Sequence, residues 1–348
     1  MRAAIFDTFR GPIEIRRVAD PQLPEDGVVI RVAANGVCRS DWHGWIGHDS
    51  GIQLPHVPGH ELAGVVEAVG RQVRDFAVGD RVTVPFVVGC GRCAECRDGS
   101  PQVCADQFQP GFTAWGGFAE YVAIPRADCN LVALPEALDF VAAAALGCRF
   151  ATAWRAVIEQ GRARPGEWLA VHGCGGVGLS AVMIAAAAGA LPIAVDVSAE
   201  ALSLARDCGA VATLDGRAVD DIPAAIAELT GGGAQLSLDA LGSPLTARNS
   251  LLGLRPRGRH VQVGLLLGED AGTPLPMDRV IGAELEIRGS HGMAAQRYPQ
   301  LLDAVAAGRL APQRLVSRRL SLSAGADLLA RMDQFPGSGI AVITDFSA

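Results

Sequence analysis

The segment WLAVHGCGGVGLSAVMIAAAAGA, residues 168–190, most constrains the fold of this chain. It runs from an apolar strand-like stretch through a glycine-rich turn into an Ala-rich helix-like stretch, with Gly173, Gly175 and Gly178 in a G-x-G-x-x-G frame. Such glycines permit a tight turn and close approach of the backbone to a pyrophosphate, which the free N–H groups of the helix amino terminus then bind. A strand, a turn and a helix in this order predict a dinucleotide-binding βαβ unit.

Asp196 ends the next strand-like stretch, 18 residues after Gly178. At this place a carboxylate accepts hydrogen bonds from the adenosine ribose of a dinucleotide. A carboxylate here also repels a 2′-phosphate, and Val197, Ser198 and Ala199 bring no arginine to offset it. The sequence therefore predicts NAD rather than NADP, the structural alternative being an ordinary glycine-rich turn followed by a helix-capping aspartate.

The strand and helix signals change character partway along the chain. The first 145 or so residues, about two fifths of the sequence, carry short β-branched runs separated by Gly, Pro and Asp, which is typical of small, bulged, barrel-like β structure. Beyond them, strand-like runs alternate with Ala-rich helix-like stretches, which indicates βαβ units on a parallel sheet. The closing stretches YPQLLDAVAAG and GIAVITDF are expected to return to the first domain. The predicted fold class is α/β.

Composition limits the function classes. The 348-residue chain has a formal net charge of -7, and all 30 basic residues are arginine because the chain contains no lysine. The acidic balance argues against a nucleic-acid or anionic membrane partner, and the absence of lysine excludes Schiff-base chemistry and the lysine-dependent P-loop. The amino terminus lacks the apolar run of a signal peptide. We therefore expect a soluble, cytoplasmic protein that acts on a small molecule.

Four cysteines lie close together in CGRCAECRDGSPQVC: Cys90, Cys93, Cys96 and Cys104. Four thiolates on one short loop wrap a tetrahedral zinc ion with no open position, as a structural site requires. An iron–sulfur cluster is the alternative, but the last gap is too long for the C-x3-C-P run and the proline is missing. The spacing predicts a structural zinc lobe over residues 89–105.

A second potential set of metal ligands is dispersed along the chain. Cys38 in GVCRSDWH, His60 in PHVPGHELAGVVEAVG and Cys148 in ALGCRFATAW offer two thiolates and one imidazole. Three protein ligands leave the fourth position of zinc to water or substrate, as catalytic zinc sites do. Spacing alone does not establish that these residues meet in space.

Together these motifs resemble those of the zinc-dependent medium-chain alcohol dehydrogenases. GVCRSD, PGHELAGVVEAVG, the four-cysteine lobe, ALGC, GCGGVG and AVD occur in that family's order along nearly the whole chain. The resemblance implies a GroES-like β-rich catalytic domain formed by residues 1–149 and 289–348, and a Rossmann NAD-binding domain, a doubly wound parallel sheet, over residues 150–288.

The resemblance also implies an enzyme that transfers a hydride reversibly between an apolar primary or secondary alcohol and NAD. Aldehydes or ketones are then the products, and one catalytic and one structural zinc ion are the metals. Zinc acts in such enzymes as a Lewis acid that eases ionisation of the alcohol. A homo-oligomer is implied, with a tetramer favoured over a dimer.

Roles follow for individual side chains by resemblance. Cys38, His60 and Cys148 bind the catalytic zinc; Glu61 is an occasional alternative ligand and Asp41 orients the ligand set. Ser40 and His43 relay the proton, with His43 as its exit because an unperturbed histidine has a pKa of about 6.5. The cofactor contacts implied are Arg39, Thr152, Gly173, Gly175, Gly176, Val177, Gly178, Asp196, Val263 and Gly264. Aromatic residues expected to line the substrate pocket are Trp45, Phe86 and Phe112.

Two departures from the family pattern lead us to expect modest cofactor affinity. Ala201 stands near where relatives often carry a lysine, and GIAVITDF lacks an arginine that several relatives aim at the cofactor phosphate. The cysteine at 148, where polyol-oxidising relatives generally place a carboxylate, favours simple alcohols. A zinc-dependent polyol or amino-alcohol dehydrogenase is the nearer alternative, and a non-catalytic NAD(H)-binding sensor is the more distant one.

Overall fold

A computed structural model describes residues 1–334 and 337–347 of the protein. The chain divides into two compact units, one comprising Met1–Ala151, Gly292–Pro336 and Ile340–Ala348, the other Thr152–His291 and Gly337–Gly339. Three residues of the predicted 289–348 segment, Phe335, Pro336 and Ala348, lie outside the described residues.

The strands before the middle of the chain are β1 (Arg2–Ile5), β2 (Glu14–Arg17), β3 (Val28–Val37), β4 (Glu61–Val69), β5 (Arg81–Thr83), β6 (Tyr121–Ile124) and β7 (Val132–Ala133). The helices of the same part are α1 (Arg39–Trp45), α2 (Ala94–Arg97), α3 (Ala127–Asn130), α4 (Phe140–Ala145) and α5 (Ala151–Trp154).

The second unit contains strands β8 (Trp168–His172), β9 (Leu191–Asp196), β10 (Ala212–Asp215), β11 (Ala234–Asp239), β12 (Leu254–Gln262) and β13 (Glu286–Gly289). Its helices are α6 (Gly176–Ala187), α7 (Ala199–Asp207), α8 (Ile222–Thr230), α9 (Pro244–Leu252) and α10 (Met277–Gly282). The chain then returns to the first unit through α11 (Tyr298–Ala306), β14 (Val316–Ser321), α12 (Leu322–Ala330) and β15 (Ile340–Asp345).

The main sheet of the first unit is organised around β3. Its strand order is β14-β15-β3-β4-β5-β7, and β6 also pairs with β3. Apolar side chains of β3 and β4, including Val28, Ile30 and Leu62, are buried in one core cluster. The β3–β4 register shifts twice, and such bulges bend and twist a sheet as barrel-like folds require. The bulged β structure predicted for this part of the chain is therefore present.

The second unit is a parallel sheet with strand order β10-β9-β8-β11-β12-β13. Numbered within the unit, this is the 3-2-1-4-5-6 order of the doubly wound dinucleotide-binding fold. The interior of β8 is entirely buried, which explains its continuous apolar run. The sequence did not predict β13, because EIRG is a short edge strand with two charged residues and one β-branched residue. The predicted α/β class is confirmed.

The apolar segment Phe140–Gln160 is long enough to cross a membrane, yet 72% of its most apolar window is buried inside the protein, as in a core helix. It begins where the Asp139 carboxylate accepts a hydrogen bond from the Ala142 N–H. Its regular path is broken by a π-helical turn, Leu146–Phe150, in which Gly147 adopts non-helical angles. A Cβ at Gly147 would lie 2.8 Å from the Glu61 Cβ, so only glycine permits this close approach.

Candidate active site

The three candidate metal ligands that are dispersed in the sequence come from three segments of the first unit. Cys38 follows β3 directly, and the antiparallel β3–β4 register pairs Gly36 with Glu61, which brings His60 beside it. Cys148 lies in the π-helical turn after α4. One donor atom from each of Cys38, His60 and Cys148 lies within 4.8 Å of the other two. The structure thus brings together three residues that are separated by 110 positions in sequence (148 − 38).

The Asp41 carboxylate ties two of these segments together. It accepts hydrogen bonds from the Cys38 N–H at 3.1 Å and the Gly59 N–H at 3.0 Å. One oxygen also lies 2.8 Å from Nδ1 of His60. A carboxylate at Nδ1 places the ring proton there and leaves Nε2 as the donor atom for a metal. Asp41 therefore orients the His60 ring, as the resemblance implies.

The chemistry of this set fits zinc. Nε2 of His60 is buried and has no hydrogen-bond partner among the described residues, which is costly unless a cation occupies its lone pair. The Cys148 thiol donates a hydrogen bond to Cys38 and thereby lowers the pKa of the Cys38 thiol. Burial opposes this shift, and the charge of Arg149 adds to it. Zinc takes deprotonated thiols and neutral imidazole in such sites.

Glu61, the expected alternative ligand, is instead fully engaged by Arg149. Its Oε1 accepts hydrogen bonds from the backbone N–H and the Nε of Arg149, both at 3.0 Å, and its Oε2 pairs with Nη2. Glu61 also falls outside the three-residue donor set. Sequence analysis missed Arg149, although an unpaired charge in the apolar run ALGCRFATAW signals a buried partner.

Two of the three expected pocket aromatics flank the ligand set. The His60 ring lies 6.0 Å from the Phe86 ring at 76° and 5.0 Å from the Phe112 ring, measured between centroids. Trp45 belongs to the cluster in which Phe112 packs, and its indole N–H donates to the Gly11 carbonyl. Phe86 and Phe112 thus form an apolar wall at His60, whereas Trp45 supports Phe112.

The two predicted relay residues do not contact each other. The Ser40 hydroxyl lies 3.9 Å from the Cys38 sulfur, and no hydrogen bond joins it to His43 within the described chain. His43 pairs instead with His48, the Nδ1 atoms lying 3.2 Å apart. Burial, followed by the charges of Arg39 and His48, lowers the pKa of His43 to about 4. Its ring is therefore neutral at pH 7.

The glycine-rich turn of the second unit leaves room for a cofactor. Gly173 has φ of +88°, and a Cβ at Gly178 would lie 1.8 Å from the Gly173 carbonyl oxygen, so the turn itself requires both glycines. A Cβ at Gly175 would meet nothing within 4 Å. That space lies at the amino terminus of α6, whose first residues are Gly176 and Val177. An open cradle beside free N–H groups fits a pyrophosphate.

Hydrogen bonds hold Asp196 at the end of β9. Its two oxygens accept from the Cys174 N–H at 2.6 Å and the Ser198 N–H at 2.8 Å. Val263 and Gly264 follow β12, and their N–H groups donate to the Asp239 carbonyl at 3.0 and 2.8 Å. Each of these expected cofactor residues is held by the backbone of its own unit.

Two further expected cofactor residues have distinct surroundings. The Thr152 hydroxyl of the second unit is buried and has no partner in the described part of the chain. In the first unit, the Arg39 guanidinium lies 3.9 Å from the centroid of the Trp42 ring and donates to the Met332 carbonyl. A pyrophosphate contact by Arg39 stays a prediction.

The four-cysteine lobe has the geometry of a closed zinc site. The Cys90 and Cys96 sulfurs are 3.9 Å apart, and those of Cys93 and Cys104 are 3.7 Å apart. Zinc–sulfur bonds of about 2.3 Å put tetrahedral ligands about 3.8 Å apart. The N–H groups of Arg92 and Cys93 donate to Cys90 and lower its pKa to about 6. All four donors lie within 4.8 Å of one another, so the lobe fits a structural zinc ion.

Comparisons with known proteins agree with this geometry. Residues 24–136 match the alcohol dehydrogenase GroES-like domain, and residues 176–307 match the zinc-binding dehydrogenase domain. The chain is 34% identical over 315 residues to an alcohol dehydrogenase of Geobacillus stearothermophilus, covering 90% of each sequence. It is 31% identical to the sorbitol dehydrogenase of Bacillus subtilis (strain 168), covering 99% of this chain and 96% of that protein.

A solved alcohol dehydrogenase structure from Thermus sp. ATN1 has a TM-score of 0.90 to this chain at 31% identity. The match covers 99% of this chain and 100% of that one. The family resemblance found in the sequence motifs is thereby confirmed. The chain belongs to the zinc-dependent medium-chain alcohol dehydrogenase family and is an oxidoreductase of that superfamily.

Proposed function

We propose that this enzyme oxidises apolar primary or secondary alcohols to aldehydes or ketones with NAD, reversibly, and holds two zinc ions per chain. The observation that carries the substrate class is the pair of aromatic rings, Phe86 and Phe112, against the ligand His60. Both phenylalanines are largely buried, at 8% and 7% exposure. Apolar rings beside the reacting position favour an apolar substrate and offer no partner to a polyol hydroxyl.

The chain's own residues divide the work at this site. Cys38, His60 and Cys148 would hold the catalytic zinc, and Asp41 keeps the imidazole oriented. When bound, zinc supplies Lewis-acid catalysis and NAD accepts the hydride. The Ser40 hydroxyl, which both donates and accepts hydrogen bonds, would take the substrate proton and pass its own toward His43. Phe86 and Phe112 exclude water from the reacting groups.

Asp196 supports NAD over NADP. Its carboxylate is held in place by two backbone N–H groups, so it cannot turn away from a 2′-phosphate without losing both bonds. An unpaired anion beside this carboxylate costs more than about 1.4 kcal/mol, which corresponds to a tenfold preference. Asp196→Gly is expected to narrow that preference.

A polyol dehydrogenase is the second candidate, because a sorbitol dehydrogenase matches 99% of this chain. Against it, the carboxylate expected as an alternative ligand, Glu61, is occupied by Arg149 on both oxygens. It therefore has no free oxygen to offer a second substrate hydroxyl.

One kinetic panel tests the proposal. Primary, secondary and benzylic alcohols and sorbitol are compared with NAD and with NADP, in wild type and in Phe112→Ser. We expect kcat/KM at least ~10-fold higher for apolar alcohols than for sorbitol, and at least ~10-fold higher with NAD. Phe112→Ser should narrow the first difference and leave the second intact. Preference for sorbitol would favour the second candidate, and NADH binding without any turnover would indicate the non-catalytic sensor.

A homo-oligomer built on the edge of the second unit's sheet is also proposed. β13 pairs only with β12 in the described chain, and an exposed edge strand is a template for another chain. Large apolar side chains of the same unit are exposed, among them Met277 at 51%, Ile281 at 75% and Ile287 at 38%. Replacing Ile281 and Ile287 with Lys should therefore lower the mass measured by light scattering. An unchanged mass would contradict this interface.

A further inference from the structure

The His43 and His48 side chains contact each other at the surface of the first unit. Their Nδ1 atoms are 3.2 Å apart and their rings are stacked, with 25° between the planes. The His48 N–H also donates to the His43 carbonyl at 2.9 Å, which fixes the loop that carries His48. The Trp42 ring stands edge-on to both imidazoles.

The contact between the two Nδ1 atoms constrains which ring nitrogens of His43 and His48 carry protons. A hydrogen bond between two Nδ1 atoms needs one of them protonated and the other free. When His43 carries the Nδ1 proton, its Nε2 is an open acceptor and His48 receives the bond. A proton that binds to Nε2 of His43 can then leave as the Nδ1 proton, which passes to Nδ1 of His48.

His43 does not retain an added proton at neutral pH. Burial and the charges of Arg39 and His48 hold its pKa at about 4, and Cys38 opposes them only weakly. A proton that reaches His43 at neutral pH must therefore be passed on. His48 is exposed, and the nearest carboxylate in sequence, Asp49, accepts a hydrogen bond from the Gly51 N–H.

We propose that His48 is the residue that delivers the reaction's proton to bulk water, with His43 as the carrier between the site and His48. The proposal rests on the proposed alcohol oxidation, which releases one proton for each NAD reduced. One N–H bond forms at Nε2 of His43 and one is transferred between the Nδ1 atoms. His48, now protonated on both nitrogens, loses its Nε2 proton to water, so charge and hydrogen balance. Ring rotation and proton exchange with water return both imidazoles to their starting tautomers before the next turnover.

The test compares His48→Gln, His43→Gln and the double variant, with Ser50→Ala as a matched control on the same exposed loop. Alcohol oxidation is followed near pH 7 in dilute buffer, and proton release is recorded with a pH indicator beside NADH formation. We expect His43→Gln to be slower by about 10-fold and His48→Gln by at least ~3-fold, below the roughly 10²–10⁴-fold of full general acid–base catalysis because water takes over part of the transfer. Added imidazole should restore His48→Gln.

Residues on one proton path act as a unit, so the double variant should be no slower than His43→Gln. Zinc content, NADH affinity and the unfolding midpoint should match wild type in every variant, which separates proton transfer from a structural role. Wild-type rates in His48→Gln, multiplied losses in the double variant, or no rescue by imidazole would overturn the proposal. Absence of alcohol turnover in the wild type would instead overturn the proposed function.

Discussion

The Arg149 guanidinium and the Glu61 carboxylate form a buried ion pair that links the chain next to Cys148 with the chain next to His60. The Glu61 side chain is fully buried, and that of Arg149 is 9% exposed. Asp41 links Cys38 to His60 by accepting hydrogen bonds from the Cys38 and Gly59 N–H groups and by contacting Nδ1 of His60. Two buried carboxylates therefore hold the three metal ligands in place before a metal arrives.

Removing one member of the pair should damage both stability and the catalytic metal site. In Arg149→Met, Glu61 keeps a buried charge without its partner, which costs about 3–5 kcal/mol. We expect urea denaturation to show that loss and metal analysis to give about one zinc per chain instead of two. The double variant Glu61→Gln with Arg149→Met should recover much of the stability.

The matched control is Arg31→Met, which breaks the exposed ion pair with Glu67. An exposed pair contributes at most about 1 kcal/mol. Equal losses in Arg149→Met and Arg31→Met would show that the buried pair has no special part in the site.

The two zinc sites should separate when one cysteine of each is replaced. Cys93→Ser opens the closed four-thiolate lobe, so the thermal unfolding midpoint should fall first. Cys148→Ser changes the site that keeps an open position, so alcohol oxidation should fall first. Each variant should retain about one zinc per chain, by elemental analysis. Equal thermal damage from both changes would contradict this division.

Two glycines of the same turn should respond differently to an added methyl group. Gly175→Ala places its Cβ in open space, so the unfolding midpoint should hold while NADH affinity falls at least ~10-fold. Gly178→Ala puts its Cβ 1.8 Å from the Gly173 oxygen, so stability itself should fall. NADH titration by fluorescence and thermal unfolding distinguish the two. Unchanged NADH affinity in Gly175→Ala would show that the cofactor does not bind at this turn.

His172 should make stability depend on pH. Its two ring nitrogens are buried without partners among the described residues, and burial, then His260, lowers its pKa to about 3. The unfolded chain binds this proton near pH 6.5, so stability is full above that pH and is lost as pH falls toward 3. The slope is about 1.4 kcal/mol per pH unit.

Below pH 6.5, His172→Leu should flatten the pH slope of stability by this amount, measured by urea denaturation between pH 7.5 and pH 5, a window of about 2.5 units around the unfolded pKa. The same variant should equal or exceed the wild type in stability at pH 5. An identical slope in both proteins would show that His172 gains a proton partner in the folded state.

The sequence predicted the parallel sheet because its strands are apolar along their length. The stretches WLAVH, PIAVDV and QLSLDA each fall on a strand of that sheet. The edge strand β13 has no such run, since one side of it has no neighbour to bury it. Local sequence therefore missed this charged edge strand, whereas the edge strand β10 was predicted from its VATL run.

The sequence patterns did not predict the contacts between side chains that support the site. The Glu61–Arg149 pair joins residues 88 apart, and nothing local to Glu61 shows that an arginine covers both oxygens. The His43–His48 contact is short in sequence, yet it depends on the loop after α1 folding back. The ligand motifs were recognisable because zinc demands particular residue types, whereas the residues that support them follow only from packing.

The pairing of β15 with β3 sets the order in which the protein can be completed during synthesis. Val342 pairs with Gly36, so the first unit's sheet joins residues made about 300 positions apart. The second unit is almost contiguous and needs few residues beyond its own last strand to finish its sheet. The nascent chain therefore closes its nucleotide-binding fold first, while residues 35–37 of β3, next to the ligand Cys38, stay unpaired on one edge until the last strand is translated.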